Sequence, residues 1–312
     1  MIYKVNVLIT CLLFVCVACA GKGSAKAQAD VEVSGAVTDL STELVDLQMI
    51  YASDTDRDIF EKYLAHIERL GSFQESELII ETARFFLGRP YVAHTLEMEP
   101  EGLVVNLREL DCTTLVETVL ALARTVARYE YPTFEDFCRQ LQNIRYRRGT
   151  INDYNDRIHY FSDWIYENET RGHVRDVTKE IGGDPYNVKV SYMSSHPGSY
   201  KQLKSNAKYV EAMKAKESEI SARDSYAFIS GERIKSCEEG MKDGDILCFV
   251  TNIEGLDIAH VGYVYREKGI VKFIHASSSE KKVVIDKLSI RDYVEKSKSV
   301  TGVMILRPQF LK

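Results

Sequence analysis

Apolar residues recur at helical spacing through the first half of the chain. Between residues 107 and 126, Leu115, Val119, Leu122 and Val126 mark one face of a helix that follows Asp111 and Cys112. Early acidic residues and a glycine after the last apolar position indicate further helices before it. The predicted helical segments are 54–71, 72–88, 107–126, 133–146, 157–168 and, more polar, 207–220.

The last third of the chain changes to short segments rich in β-branched and aromatic residues, separated by glycines and charged turns. These predicted strands are 244–250, 260–265, 270–277, 283–288 and 300–308. Helices followed by strands predict an α+β fold in which N-terminal helices pack on an antiparallel sheet. No Pro-rich or Ser-rich linker follows Asp30, so residues 41–312 are predicted to form a single domain.

The first 19 residues have the pattern of a signal peptide. Lys4 precedes an apolar run at 7–20 that is too short to span a bilayer comfortably. Two alternative cleavage sites are compatible with the sequence. One is a small-residue site at residues 18–20, and the other is a loose lipobox at residues 16–19, in which Cys19 would carry a lipid. Residues 20–40 then form a flexible tether. Both alternatives predict a cell-envelope protein outside the cytoplasm. In the first it is periplasmic, and in the second it is anchored to the outer membrane and contacts a membrane only through this lipid.

Composition and charge narrow the class of protein. The 312 residues are 45% hydrophobic and 28% charged, with a net charge of -6, which is typical of globular proteins. No basic stripe is present, so nucleic acid is not expected as a partner. Beyond the signal peptide the cysteines show no Cys-x-x-Cys spacing, so neither a disulfide framework, a structural metal nor a cofactor is expected. These cysteines are Cys112, Cys138, Cys237 and Cys248.

Cys112 stands at the predicted start of a helix, with Asp111 as the predicted N-cap. The positive end of a helix dipole favours a thiolate there, which makes Cys112 a candidate nucleophile. Such a nucleophile needs a base, and His260 and His275 lie on consecutive predicted strands. A turn centred between Glu267 and Lys268 makes the two histidines direct partners, and a turn centred one residue later makes them diagonal neighbours on the same face.

In either register, one imidazole can take the thiol proton while the other orients its ring. Each of these residues taken alone is more often a buried structural side chain. The three are also good zinc ligands, so a metal-dependent hydrolase is an alternative.

In this order the motifs resemble the NlpC-type, papain-like cell-wall hydrolases. The resemblance rests on "DCTTLVETV", "IAHVGYVY" and "FIHASSS", together with Pro90 and Tyr91 in "GRPYVAH". Thr113 and Thr114 depart from the usual Ser-Gly of that family. About 148 residues separate Cys112 from His260, which implies a long helical and loop insertion between nucleophile and base.

The long insertion resembles a Bacteroidetes branch of N-acetylmuramoyl-L-alanine amidases, once known only as a domain of unknown function. This resemblance implies hydrolysis of the amide between N-acetylmuramic acid and L-alanine in muropeptides, through a thioester on Cys112. It implies His260 as base, His275 as the orienting residue and Tyr91 as an oxyanion donor. Asp111 is expected to bind the stem peptide, to cap the helix, or to do both.

Three residues of the insertion are candidate substrate ligands. Arg157, Tyr160 and Trp164 follow one another at helical spacing, which predicts one helix face that could stack on a sugar and bind a carboxylate. The alternative is that they pack the insertion against the core.

Two other functions are compatible with the sequence. One is an endopeptidase of the same fold that cuts between γ-D-glutamate and the diamino acid. The other is a non-catalytic lipoprotein that binds cell-wall fragments.

Overall fold

The computed structural model describes residue 47 and residues 49–310, and the predicted signal peptide, tether and lipidation site at Cys19 lie outside them. Ten α-helices are described: α1 (Asp54–Leu70), α2 (Glu75–Phe85), α3 (Cys112–Arg128), α4 (Phe134–Arg145), α5 (Phe161–Thr170), α6 (Tyr192–Ser195), α7 (Lys201–Ser205), α8 (Ala207–Ser221), α9 (Ile234–Cys237) and α10 (Ile290–Lys296). Within residues 49–310, no helix is both long enough and apolar enough to span a bilayer.

The strands are β1 (Ile50–Tyr51), β2 (Leu103–Val104), β3 (Val174–Asp176), β4 (Asp184–Pro185), β5 (Ala227–Ser230), β6 (Ile246–Thr251), β7 (Ile258–Glu267), β8 (Ile270–Ser277), β9 (Lys282–Ile285) and β10 (Val300–Pro308). All five predicted strands are present. The five additional strands have at most four residues each, too few for a period-2 pattern to be visible in the sequence.

Capping boxes fix where the long helices begin. Ser53 accepts a hydrogen bond from the Asp56 N–H, and Thr133 caps α4 through Asp136 in the same way. Each cap satisfies backbone donors that the first helical turn leaves free. These local signals explain why the sequence locates α1 to α4 within a few residues.

An antiparallel sheet forms the centre of the fold. Its strand order is β4-β5-β10-β6-β7-β8-β9, and β3 pairs with β10 beyond this path. Every pairing in this sheet is antiparallel, whereas β1 and β2 form a separate parallel pair. The predicted α+β class with an antiparallel sheet is therefore confirmed.

Both faces of the central sheet are covered. Along β6, Ile246, Cys248 and Val250 join the core formed with the N-terminal helices, while Leu247 and Phe249 join a second core that includes residues of α9 and α10. Alternate side chains of a strand point to opposite faces, so a strand covered on both sides is apolar throughout. This explains the unbroken apolar run in β6 and the near-continuous one in β10.

A buried ion pair joins α3 to α4. Arg145 Nε lies 2.6 Å from Glu117 Oε2, and both side chains are almost fully buried. Arg145 also donates from Nη1 to the Val104 carbonyl at 2.6 Å. The charge on each partner is therefore compensated without water, and α3 is held at a fixed distance from α4 and β2.

Replacing Arg145 with alanine leaves the Glu117 carboxyl buried without its charge partner. We expect a loss of about 3–5 kcal/mol in the free energy of unfolding, measured with a chemical denaturant. The matched control is Arg57→Ala at the exposed Arg57–Glu135 pair, where a loss of less than about 1 kcal/mol is expected. Equal losses in the two variants would show that the buried pair does not hold these helices together.

Candidate active site

Cys112 is the first residue of α3, and Asp111 is the N-cap. Asp111 Oδ1 accepts from the Thr114 N–H at 2.8 Å, and Thr114 Oγ1 accepts from the Asp111 N–H at 2.8 Å. The predicted cap at Asp111 is thus confirmed, and the capping box fixes the backbone that carries the thiol. Thr114 stands where the NlpC-type family usually has glycine, and its side chain is one of the two that form this capping box.

The helix α3 packs against β7, where the Tyr263 hydroxyl donates to the Val116 carbonyl at 2.7 Å. This packing places Cys112 in one cavity wall with Val261, which follows His260 in the chain. Cys112 and His260 both line this cavity of about 90 Å³. The predicted nucleophile and the predicted base therefore face a common space.

The β7–β8 hairpin sets the relation between the two histidines. Its register pairs Glu267 with Ile270, so the turn is centred between Lys268 and Gly269 and the histidines are diagonal neighbours on one face. Both turn residues have positive φ, as a two-residue hairpin turn with this twist requires. Of the two registers open from the sequence, the structure has the second.

The two imidazoles are in direct contact. His260 Nε2 lies 2.6 Å from His275 Nδ1, and the rings meet edge to face. Gly262 makes this approach feasible, because a Cβ there would lie 2.6 Å from the Ile274 carbonyl oxygen and 3.1 Å from the His275 Cβ. The His275 side chain thus lies over a position that has no side chain of its own.

Asp286 extends the pair to a row of three groups and was not predicted from the sequence. Its Oδ2 lies 3.1 Å from His275 Nε2, and its N–H donates to the Phe273 carbonyl at 2.9 Å. Burial acts to raise the pKa of Asp286, but the neighbouring His275 and a hydrogen bond from the Leu288 N–H lower it overall. The register of the next hairpin, between β8 and β9, places Asp286 on the same face as His275. The same reasoning from the turn position could therefore have located Asp286 from the sequence.

The charge of Asp286 favours one tautomer of each ring. Its carboxylate lies 3.1 Å from His275 Nε2, although outside hydrogen-bonding geometry, and so favours a proton on that nitrogen and leaves His275 Nδ1 as an acceptor. His260 Nε2–H then donates to that acceptor. The unprotonated Nδ1 of His260 is therefore the basic atom of the row, free to take a proton from a nucleophile.

Burial controls the charge states of the thiol and its base. It raises the pKa of the Cys112 thiol to about 12, with the Asp111 charge acting in the same direction and bonds from Val261 and Thr113 against it. It lowers the pKa of His260 to about 3, with His275 adding to the effect and Asp286 opposing it. The sequence pattern favoured a thiolate at rest. In the folded protein the dense surroundings of the sulfur instead favour a neutral thiol beside a neutral imidazole.

Tyr91 lies beside the nucleophile, as predicted. Its N–H donates to the Lys281 carbonyl at 2.9 Å, and it forms an isolated bridge with Leu110, next to Asp111 and Cys112. Burial raises the pKa of its hydroxyl to about 12, and the neighbouring Cys112 and Asp111 add to the rise. At neutral pH the Tyr91 hydroxyl is therefore protonated and can donate.

Aromatic side chains surround the imidazoles. The His260 ring lies 5.9 Å from the Phe249 ring and 6.3 Å from the Tyr293 ring of α10, between centroids, and these two rings pack against each other at 4.7 Å. Phe273 packs on His275 at 4.6 Å. These rings restrict the rotation of both imidazoles and exclude water from the His260–His275 contact. Tyr293 was not predicted, since nothing in the spacing of α10 points toward the site.

The predicted helix face of Arg157, Tyr160 and Trp164 is wrong. Arg157 lies before the helix in extended backbone that bridges to Tyr146, and Tyr160 is the N-cap, so only Trp164 lies within α5. Asp153 caps a short turn at Tyr154–Asp156 and stops the helical pattern from reaching back.

The three residues also differ in their surroundings. Arg157 does not line the catalytic cavity, and its guanidinium is held by Glu97, at 3.0 Å, and by Glu101, at 3.5 Å. Tyr160 and Trp164 do line the cavity. The Tyr160 hydroxyl donates to Glu217 at 2.7 Å and accepts from the Met193 N–H, so its ring face is the part left for a ligand.

His159 is a further cavity residue that sequence reasoning did not single out. Its Nε2 lies 2.9 Å from the Tyr154 carbonyl oxygen, and burial lowers its pKa well below the usual value. The His159 imidazole is therefore neutral at physiological pH and forms part of the cavity wall. Within residues 49–310 no cluster of three or more His, Cys, Asp or Glu side chains is arranged to hold a metal.

The charge states predict how alkylation of Cys112 by iodoacetamide depends on pH. A thiol with a raised pKa yields thiolate only as the pH rises, so the rate should increase about tenfold per pH unit between pH 6 and 9. The rate is measured by mass spectrometry of the peptide that contains Cys112, and the peptides that contain the buried Cys138, Cys237 and Cys248 give the background rate. A rate that stays constant from pH 5 to 8 would instead indicate a resting thiolate–imidazolium pair.

Similarity to known proteins extends over most of this chain. Residues 81–303 match the model of the AmiA-like family, described as N-acetylmuramoyl-L-alanine amidase-like. The crystal structure of an N-acetylmuramoyl-L-alanine amidase from Bacteroides uniformis is 37% identical, with a TM-score of 0.71, covering 76% of this chain and all of that chain. A Bacteroides fragilis protein described as "a putative xylanase" is 36% identical over 73% of this chain and 99% of that chain, with a TM-score of 0.68.

A Legionella pneumophila protein, LPG0564, shares the fold at 20% identity and a TM-score of 0.60, covering 82% of this chain and 94% of that chain. No match was found among curated proteins. The family model covers well over half of the chain, in the region that contains Cys112, His260, His275 and Asp286. The chain therefore belongs to the AmiA-like, N-acetylmuramoyl-L-alanine amidase-like family.

Proposed function

We propose that this protein is a peptidoglycan amidase that hydrolyses the bond between N-acetylmuramic acid and L-alanine in muropeptides. One observation carries the proposal: Cys112 opens a capped helix beside Val261, next to the row His260–His275–Asp286. Membership of the amidase-like family supports the substrate class. We also propose an NlpC-type, papain-like fold for this chain, supported by the candidate nucleophile at the start of α3 and the candidate base on the adjacent strand β7.

In the first step, Cys112 Sγ attacks the carbonyl carbon of the lactyl group, and the thiol proton passes to Nδ1 of His260. General-base removal of the proton during attack suits a thiol whose pKa is raised by burial. The carbonyl oxygen becomes an oxyanion, which the Cys112 N–H and the Tyr91 hydroxyl stabilise. Each such donor typically contributes about 3 kcal/mol to the stability of the transition state.

Collapse of the oxyanion breaks the C–N bond, and His260 gives its proton to the departing alanine amine. A muramoyl thioester on Cys112 remains. Water then attacks the thioester carbonyl while His260 accepts a proton, and the Cys112 thiolate leaves and is reprotonated. The products are the muramic acid carboxylate and a free stem peptide, with the enzyme restored.

The other groups of the cavity position the substrate. The ring face of Tyr160 and the side chain of Trp164 are proposed to contact the sugar or the lactyl group. Asp111 Oδ1 is committed to the cap, so only Oδ2 of this carboxylate is proposed to bind the stem peptide. Arg157 is proposed to act from outside the cavity, by holding Glu97 and Glu101 in place.

The predicted leader makes the cell envelope the proposed location, where peptidoglycan fragments are present. Lipidation at Cys19 would tether the domain to a membrane through the segment 20–40. The chemistry of the site does not depend on this anchor.

Product analysis on defined muropeptides tests the proposed reaction. We expect the wild-type protein to release an intact free stem peptide, and Cys112→Ala to lose at least about 10³-fold in rate, since the nucleophile is removed. Cys237→Ala, at a buried cysteine remote from the cavity, is the matched control.

Three outcomes would contradict the assignment. Release of L-Ala-γ-D-Glu would identify an endopeptidase. Equal inactivity of wild type and Cys112→Ala would favour a protein that only binds cell-wall fragments. Loss of activity with a chelator, but not with iodoacetamide, would indicate a metal-dependent hydrolase.

Asp286→Asn tests the role of the carboxylate as a positioning group. Without the negative charge of the Asp286 carboxylate, the His260 imidazolium is less stable, so the pKa of His260 falls. We expect kcat to drop about tenfold, the equivalent of about one pKa unit, and the acidic limb of the pH–rate profile to move to lower pH. Asp286→Glu should restore part of the rate, while Asp58→Asn, at an exposed position of α1, should have no effect. A reduced rate with an unshifted profile would assign Asp286 a purely structural role.

A further inference from the structure

Arg89 lies two residues before Tyr91 and takes no part in the proposed chemistry. The side chain is half-buried, yet its guanidinium forms no ion pair and no hydrogen bond within residues 49–310. Two other half-buried arginines, Arg223 and Arg307, each pair with an aspartate. None of the enclosed, unpaired polar atoms in this part of the chain belongs to Arg89, so its guanidinium is accessible. Arg89 therefore offers an unpaired cation to a ligand.

Backbone hydrogen bonds place the Arg89 side chain on the same face of the chain as Tyr91. The Val283 N–H donates to the Arg89 carbonyl at 2.8 Å, and the Tyr91 N–H donates to the Lys281 carbonyl at 2.9 Å. Pro90, between them, forms an antiparallel bridge to β9. This short segment therefore runs extended, and alternate side chains of extended backbone share a face. Tyr91 lies beside the nucleophile, so the face that carries both side chains, the Tyr91 face, leads to the reacting thiol.

Lys281 supplies a second cation beside Tyr91. Its side chain is exposed and forms no ion pair within residues 49–310, and its flexible four-carbon stem lets the ammonium reach the Tyr91 face. Lys282 is also exposed, but it is the bridge partner of Pro90, and directly opposite residues of a bridge share a face. The Lys282 side chain therefore lies on the face opposite to Tyr91, although it follows Lys281 in the chain.

The distance from Arg89 to the nucleophile fits the second residue of the stem peptide. The Leu110 N–H donates to the carbonyl of Pro90, which follows Arg89, at 3.0 Å, and Leu110 lies two residues before Cys112. With about 3.8 Å per chain step and about 5–6 Å between the bonded backbones, the backbones of Arg89 and Cys112 lie within roughly 17 Å. In an extended peptide the α-carboxylate of the residue after L-alanine lies roughly 8 Å from the scissile carbonyl. The thiol and the long arginine side chain span the remainder.

We propose that Arg89, assisted by Lys281, binds the α-carboxylate of the D-glutamyl residue of the stem peptide. This inference rests on the proposed function and deepens it by naming a group that selects the leaving peptide. The N-acetylmuramoyl half of the substrate is neutral, whereas the stem peptide carries this carboxylate two residues from the scissile bond. A planar guanidinium binds a carboxylate through two parallel hydrogen bonds, and an ammonium adds a point charge. Asp111 Oδ2, on the same side of the nucleophile, is left for an N–H of the peptide.

Two muropeptides that differ in a single group test the subsite without any mutation. N-acetylmuramoyl-L-Ala-D-Glu carries the carboxylate, and N-acetylmuramoyl-L-Ala-D-isoglutamine carries a neutral amide in its place. We expect the wild-type protein to cleave the first with a kcat/KM at least about tenfold higher, as for the loss of a hydrogen bond to a charged group. The difference should lie mainly in KM, because the contact is made equally in the ground state and the transition state. Equal constants, or a preference for the amide, would overturn the inference.

Variants of the two cations assign the preference to particular side chains. Arg89→Gln should raise KM for the carboxylate substrate about tenfold and leave the constants for the amide substrate unchanged, so that the preference disappears. Arg89→Lys should keep part of the preference, and Lys281→Gln should reduce it by a smaller factor. Lys282→Gln removes the same charge from the opposite face and is the matched control, for which both substrates should keep their constants. An equal loss for both substrates in Arg89→Gln would indicate a structural role and contradict the subsite.

Calorimetry with the free dipeptides L-Ala-D-Glu and L-Ala-D-isoglutamine separates this inference from the proposed function, because it requires no cleavage. If neither muropeptide is cleaved but L-Ala-D-Glu binds more tightly than its amide, and Arg89→Gln removes the difference, the reaction is wrong and the subsite is right. If both muropeptides are cleaved equally well and Arg89→Gln changes nothing, the reaction is right and the subsite is wrong. Absence of both cleavage and dipeptide binding would contradict both proposals.

Discussion

The register of the β7–β8 hairpin is the constraint on which the site depends. A two-residue turn at Lys268 and Gly269 fixes which residues of the two strands face each other. A slip by one residue would send His275 to the opposite face of the sheet, away from His260. The absence of a side chain at Gly262 then lets the His275 ring reach His260 Nε2. The relative position of the base and its supporting histidine is thus set by backbone geometry.

The nucleophile is fixed by a second, independent device. The capping box between Asp111 and Thr114 sets the backbone at Cys112, and the Tyr263–Val116 hydrogen bond holds α3 against β7. Burial produced by this packing has a cost, because it raises the pKa of the thiol and lowers that of the imidazole. Asp286 partly offsets it by stabilising positive charge on the row of imidazoles.

Local signals in the sequence predicted α1 to α5 and α8, the strands of the last third, and two hairpin registers that both place the histidines on one face. They could do so because caps, period-2 alternation and turn chemistry act over a few residues. Asp286 was missed because its role depends on the pairing of β8 with β9. The prediction that Arg157, Tyr160 and Trp164 share a helix face was wrong because Asp153 begins a separate turn before the helix, which periodicity alone does not reveal. The cavity lined by Tyr154, Gln202 and Tyr209 could not be predicted, since it joins loops, α7 and α8 from distant parts of the chain.

The central claim is a muramoyl thioester on Cys112, and partitioning of that intermediate tests it most directly. Hydroxylamine added during turnover of a defined muropeptide should compete with water for the thioester carbonyl and displace the thiolate. The prediction is a muramic acid hydroxamate, formed together with free stem peptide in a proportion that rises with the hydroxylamine concentration. Formation of the carboxylate alone at every concentration would contradict the thioester, and a hydroxamate of L-Ala-γ-D-Glu would contradict the scissile bond.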